Sequence, residues 1–207
     1  MTAKPKKLSI LSIVILVVIL LYPVIAYLGI RNLGIRLASI VVLALLLGST
    51  AARIAATRSL LIPLLLQAGA VAAILGAGCV LADPLYMKLV PALIALSAAL
   101  NFFLSLLRTP VIESFARMKK PDLPPPEVRY TRRVTHLWGW TMVADSALCL
   151  AAAAGGSLSL WLILCFPVSY ALLGIVFCSE YAVRKWRFGD FDEAMVWDRV
   201  LRAVLRK

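Results

Sequence analysis

Six apolar runs follow one another along this chain, each long enough to cross the hydrocarbon layer of a membrane. A crossing helix needs about 20 mainly apolar residues, with about 17 as a practical minimum. The runs are residues 8–29, 35–52, 60–82, 85–107, 134–154 and 158–183. Turn-like or charged patches divide them: Arg31-Asn32, the stretch from Arg53 to Arg58, Asp83-Pro84, a polar connector over 108–133, and Gly155-Gly156-Ser157. With 62% apolar residues in 207, the chain carries more apolar side chain than a soluble domain of this size can hide. The same composition excludes a disordered chain and a collagen-like fibre, and four Cys are too few for a disulfide scaffold. The expectation is an all-α, polytopic membrane protein. It forms one integral membrane domain of six transmembrane helices, with one or two cytoplasmic interfacial helices.

The first run begins after Lys4, Lys6 and Lys7, as a secretory signal would. Its length, and the bulky Tyr22-Pro23 where a cleavage site would need small residues, make it read as a retained anchor.

Cations set the orientation, because Lys and Arg are enriched in cytoplasmic segments. With the N-terminus inside, nineteen of the twenty-two Lys and Arg fall on the cytoplasmic side, and only Arg31, Arg36 and Lys88 fall outside. Against those nineteen stand Glu113, Asp122, Glu127, Asp190, Asp192, Glu193 and Asp198. The formal +12 is thus a topology signal rather than a nucleic-acid one, and no nucleic-acid partner is expected. The expected location is a bacterial inner membrane, multi-pass, with both termini cytoplasmic.

Two segments are more than loops. In the connector, Thr109 can cap a helix that opens on Pro110 and aligns Val111, Phe115 and Met118, with Glu113, Arg117 and Lys120 on another side. Pro124-Pro125-Pro126 then reads as an extended bridge, after which Glu127 begins a helix running unbroken into the fifth span. In the tail, 184–207, Asp190 and Glu193 form a capping-box pattern ahead of Ala194, Trp197, Leu201, Val204 and Leu205 on one face. That second amphipathic helix lies on lipid or packs on the protein's own ends.

Ionisable residues at depth are costly and therefore informative. Asp145 lies near the middle of the fifth span. It must face the bundle interior, either as glue bonded to Ser146, Thr141 or Tyr170, or as a proton or substrate site. His136 and Glu180 lie at similar depth on helices joined by a tight hairpin, so they can form a base or relay pair. The plainer reading pairs Glu180 with Arg184, Arg132 or Arg133. Cys79, Cys149, Cys165 and Cys178 all sit inside spans without ligand spacing and read as small packing residues. No cofactor or metal motif is present, nor any nucleophile motif that names a reaction. Pro23, Pro91 and Pro167 mark kinks.

The segments PVIESFAR from Pro110, PDLPPPEVRYTRRVTHLW from Pro121 and SEYAVRKW from Ser179 together resemble an uncharacterised family of bacterial inner-membrane proteins. The resemblance covers about 109–138 and, more loosely, 161–184. Glu113, Arg117, Pro121, Tyr130, Arg132, Thr135, Trp138, Glu180, Tyr181 and Arg184 match its pattern. Two positions depart from it: Asp145, where Asn is usual, and Ser179, where Gly or Ala is usual. The resemblance implies a setting in fatty-acid-like or aryl polyene biosynthesis, beside acyl carrier proteins, ketosynthases and acyl-activating enzymes.

Three functions follow in order of preference. The first is a non-catalytic inner-membrane component that anchors or organises a cytoplasmic acyl-carrier-dependent lipid or polyene pathway. The second is a transporter or flippase for a hydrophobic or acyl product. The third is an intramembrane acyl-handling enzyme using His136 and Glu180 near Glu113, Arg117 and Tyr130. Expected partners are membrane lipids, an acyl carrier protein or pathway enzymes, and a second copy of the chain.

Overall fold

A computed structural model describes residues 17–18, 20–56 and 61–189, and these are all-α with connecting turns. Seven helices follow in order: α1 (Tyr22–Leu33), α2 (Ile35–Ala56), α3 (Leu61–Leu81), α4 (Pro84–Ser105), α5 (Val111–Lys119), α6 (Pro125–Ala154) and α7 (Leu158–Phe188). Three of them, α4, α6 and α7, are long and apolar enough to cross a membrane, and α2 and α3 contain shorter apolar stretches. The start of the first run and the tail helix expected from Asp190 lie outside the described residues.

Turn chemistry explains most boundaries. Between α1 and α2 the chain reverses at Gly34, whose φ of 78° suits glycine, so Arg31-Asn32 belongs to the last turn of α1 and is not the break. Asp83 caps α4, its Oδ1 accepting the Leu85 N–H at 2.8 Å, with Pro84 preset for the first turn. Gly156 (φ 89°) turns the chain between α6 and α7, and the Ser157 hydroxyl accepts the Leu160 N–H at 3.3 Å.

Two local expectations are corrected. The N-cap of α5 is Pro110 rather than Thr109, and the free Val111 N–H is taken up by the Ser105 hydroxyl at 3.2 Å. Pro125 and Pro126 are not an extended bridge. They open α6, where a missing N–H costs no helix bond, and only Pro124 is extended. The helix that follows does run unbroken through 30 residues to Ala154.

Prolines inside the apolar helices are compensated by neighbours. Pro91 removes the bond that would reach the Met87 carbonyl, and the Tyr22 hydroxyl donates to that oxygen at 2.8 Å. Around Pro167, α7 widens into a π-helical turn over Leu164–Val168, where the Ser169 hydroxyl donates to the Leu164 carbonyl at 3.0 Å.

The tightest packing is between α4 and α6. Gly139 lets them close, since a Cβ there would stand 2.8 Å from the Phe103 ring. Leu75, Met87, Val90, Cys149 and Trp161 fill the centre. The outside is apolar as well. The apolar window of α7 is only 17% buried, against 39% for α6, and Ile175 and Phe177 point away from the protein. An apolar exterior on an apolar helix is what a lipid solvent selects.

Candidate functional site

α6 and α7 set the frame. At about 1.5 Å per residue, 30 and 31 residues span about 45 Å, against about 30 Å of hydrocarbon. Both helices start or end at the same three-residue turn, so both overrun the apolar layer at the opposite end. That end gathers most of the charged residues singled out by sequence.

There the motif side chains bond mainly to one another. On α5, Glu113 is buried and meets Arg117 twice, with Nη2–Oε1 at 2.7 Å and Nε–Oε1 at 2.8 Å. Arg117 also donates to the Pro121 carbonyl at 2.9 Å and so fastens the turn after α5. Phe115 and Met118 point outward, as suits a helix lying at headgroup level. Lys120 pairs with Glu127 at 2.8 Å, tying the connector to the first turn of α6. Arg132 donates to the Leu106 carbonyl at the end of α4 at 3.0 Å. The Tyr130 hydroxyl reaches across to α7 and donates to the Glu180 carbonyl at 3.3 Å, with the Glu180 carboxylate at 3.5 Å. Arg184 stands 3.8 Å from the same carboxylate.

His136 does not join this group. Six residues after Tyr130 on a helix of 3.6 residues per turn, it faces another side, where it is exposed and neighbours the Phe103 ring at 6.5 Å. Glu180 instead meets Tyr130 and Arg184, so the structure does not bring the expected relay pair together.

Asp145 lies ten residues before the hairpin turn, about 15 Å in and so near mid-depth. It is 7% exposed, and its Oδ1 has no hydrogen-bond partner. The three hydroxyls expected to satisfy it are bonded elsewhere: Ser146 to the Ala92 carbonyl, Thr141 to the Leu137 carbonyl and Tyr170 to the Leu20 carbonyl. Cys149, Cys165 and Tyr170 lie within its electrostatic reach. Cys149 is 3.8 Å from the Ser169 hydroxyl, on the turn beside Pro167. The buried carboxylate thus lies close enough to influence two thiols and a phenol, and bonds none of them through Oδ1.

One polar residue was not singled out from the sequence. Lys88 was read only as an outer cation, yet it is buried, and its Nζ donates to the Ala153 carbonyl at 2.8 Å. A cation thus caps the negative end of α6. The Trp161 indole donates to the Lys88 carbonyl at 3.0 Å, which locks α7 into the same corner. The Asp83-Pro84 start of α4, one turn before Lys88, was the available signal.

Cys149 and Cys165 are neighbouring free thiols. Among the described residues no three His, Cys, Asp or Glu side chains gather as a metal ion needs. Comparison of the chain with known protein families, with curated proteins and with solved structures finds no match.

Proposed function

We propose that this chain is a six-span protein of a bacterial inner membrane, with both termini in the cytoplasm. In this reading it anchors or organises a cytoplasmic, acyl-carrier-dependent pathway of lipid or polyene synthesis. The reading leans on the family resemblance for its pathway and on one structural observation for its mode of action. That observation is the braced charged end, where Glu113, Arg117, Lys120, Glu127 and Arg132 are used up in tying α5 and the connector to α4 and α6. Such bracing holds a cationic platform in a fixed shape. A platform of this kind attracts acidic carrier proteins over a Debye length of about 10 Å in 0.1 M salt. Affinity purification of the full chain in mild detergent tests the reading. A carrier protein or pathway enzyme should co-purify at low salt and fall away at high salt. Its absence at low salt rejects the reading.

A second reading, transport of a hydrophobic or acyl product, is favoured by one specific observation, the buried and unpartnered Oδ1 of Asp145 near mid-depth of α6. Product retained inside cells that carry Asp145→Asn but make normal amounts of protein supports transport over anchoring.

A further inference from the structure

Where α6 and α7 leave the apolar layer, a cavity of about 160 Å³ opens between them, lined by Pro126, Arg129, Tyr130, Arg133 and Arg187. We propose that this cavity binds the phosphate of an anionic phospholipid headgroup. The inference does not rest on the pathway reading above.

Charge carries the first part of the argument. Arg129 and Arg133 stand one turn apart on the same face of α6, and Arg187 comes from the last turn of α7. Three guanidinium groups around one small space repel one another, and no carboxylate lines that space. Among the described residues, the acids on the neighbouring turns of α6 and α7 are committed elsewhere: Glu127 to Lys120 at 2.8 Å, and Glu180 to Tyr130 and Arg184. Among the described residues, none of the three arginines has an ion pair. Guanidinium groups fit phosphate because their planar fork gives two parallel N–H donors to its oxygens.

The site is also held in shape. The Arg187 guanidinium lies 6.0 Å from the Tyr130 ring centre and 5.9 Å from that of Phe188, and these two rings meet edge to face at 5.2 Å. Tyr130 is fixed in turn by its bond to Glu180 across the helix pair. One wall of the cavity is therefore an aromatic–cation stack rather than loose side chains.

Depth decides the source of the phosphate. Exposed Trp186 precedes Arg187 in the last turn of α7 and projects outward there, as the aromatic belt of a membrane interface does. Outward-pointing Phe115 and Met118 of α5 belong to that level too. A group entering this cavity arrives at headgroup height, where phospholipid phosphate is concentrated.

The test uses the full chain in mild detergent, with bound lipid counted by native mass spectrometry and thermal stability followed in parallel. Added phosphatidylglycerol should bind and raise Tm, more than phosphatidylcholine does. Replacing all three residues (Arg129→Gln, Arg133→Gln, Arg187→Gln) should weaken phosphatidylglycerol binding by about tenfold or more. Arg187→Gln alone should give a smaller loss, which covers a triple variant that folds poorly. Arg108→Gln, an exposed arginine that does not line the cavity, should bind as the unaltered chain does. The proposal is overturned by equal binding of the two lipids, or by arginine variants that keep full phosphatidylglycerol binding. An equal Tm shift from glycerol 3-phosphate at matched concentration overturns the lipid source.

Discussion

Lys88 and Asp145 are both buried ionisable residues in apolar helices, and their surroundings set opposite expectations. The Lys88 ammonium satisfies a helix-end carbonyl that has no partner within α6. Lys88→Met leaves that oxygen bare and should cost about 1–3 kcal/mol. Asp145 satisfies nothing through Oδ1, so Asp145→Asn replaces a buried ionisable group without breaking a bond there and should leave the fold as stable or up to about 1 kcal/mol more so. Thermal unfolding of both variants in one detergent checks the pair. A destabilised Asp145→Asn chain restores the role of that carboxylate as glue. The contrast was hidden in the sequence, where both are lone charges in apolar runs. Only the third dimension shows that Ala153 stands beside Lys88, or that Ser146, Thr141 and Tyr170 turn their hydroxyls away from Asp145.

Among the elements, the close approach of α4 and α6 depends on a missing side chain. Gly139→Ala puts a methyl 2.8 Å from the Phe103 ring, so the ring or the helix must shift, at about 1–3 kcal/mol. Phe103→Leu should recover part of that loss, and a double-mutant cycle measures how much. Additive losses would mean that the two residues do not meet. Helix existence was largely legible in the residues. α2, α3, α4 and α6 end within a few residues of the apolar runs, or run past them where the connector continues the helix. Their ends were less legible, because caps depend on neighbours. Ser105 instead of Thr109 serves α5, and Pro125-Pro126 open a helix rather than prevent one. Pro167 marked an irregular turn of α7, but its form as a widened turn bonded by Ser169 was not legible. His136 and Glu180 show a further limit, since equal depth on adjacent helices does not fix which faces meet.

For the whole molecule, the proposed topology puts the ends of α6 on opposite sides of the membrane. In a cysteine-free background, Ser157→Cys should react with an impermeant maleimide in intact spheroplasts, whereas Asp122→Cys should react only after the membrane is opened. Labelling of both positions from one side would reject the six-span arrangement. The clustering of cations was the most legible global property of the sequence, yet their division of labour was not. Arg117 and Arg132 brace the connector, while Arg129, Arg133 and Arg187 line a cavity.

The corner built by Lys88, Ala153 and Trp161 also has a history in time. Lys88 is made 65 residues before the carbonyl it caps and 73 before the indole that covers it. At about 5–20 residues per second, the first wait lasts on the order of several seconds. Throughout it, Lys88 lacks the carbonyl and the indole cover that α6 and α7 later supply. This corner therefore closes only once α6 and α7 are made, and a chain stopped after α5 would present quality control with a membrane helix whose lysine has found no carbonyl.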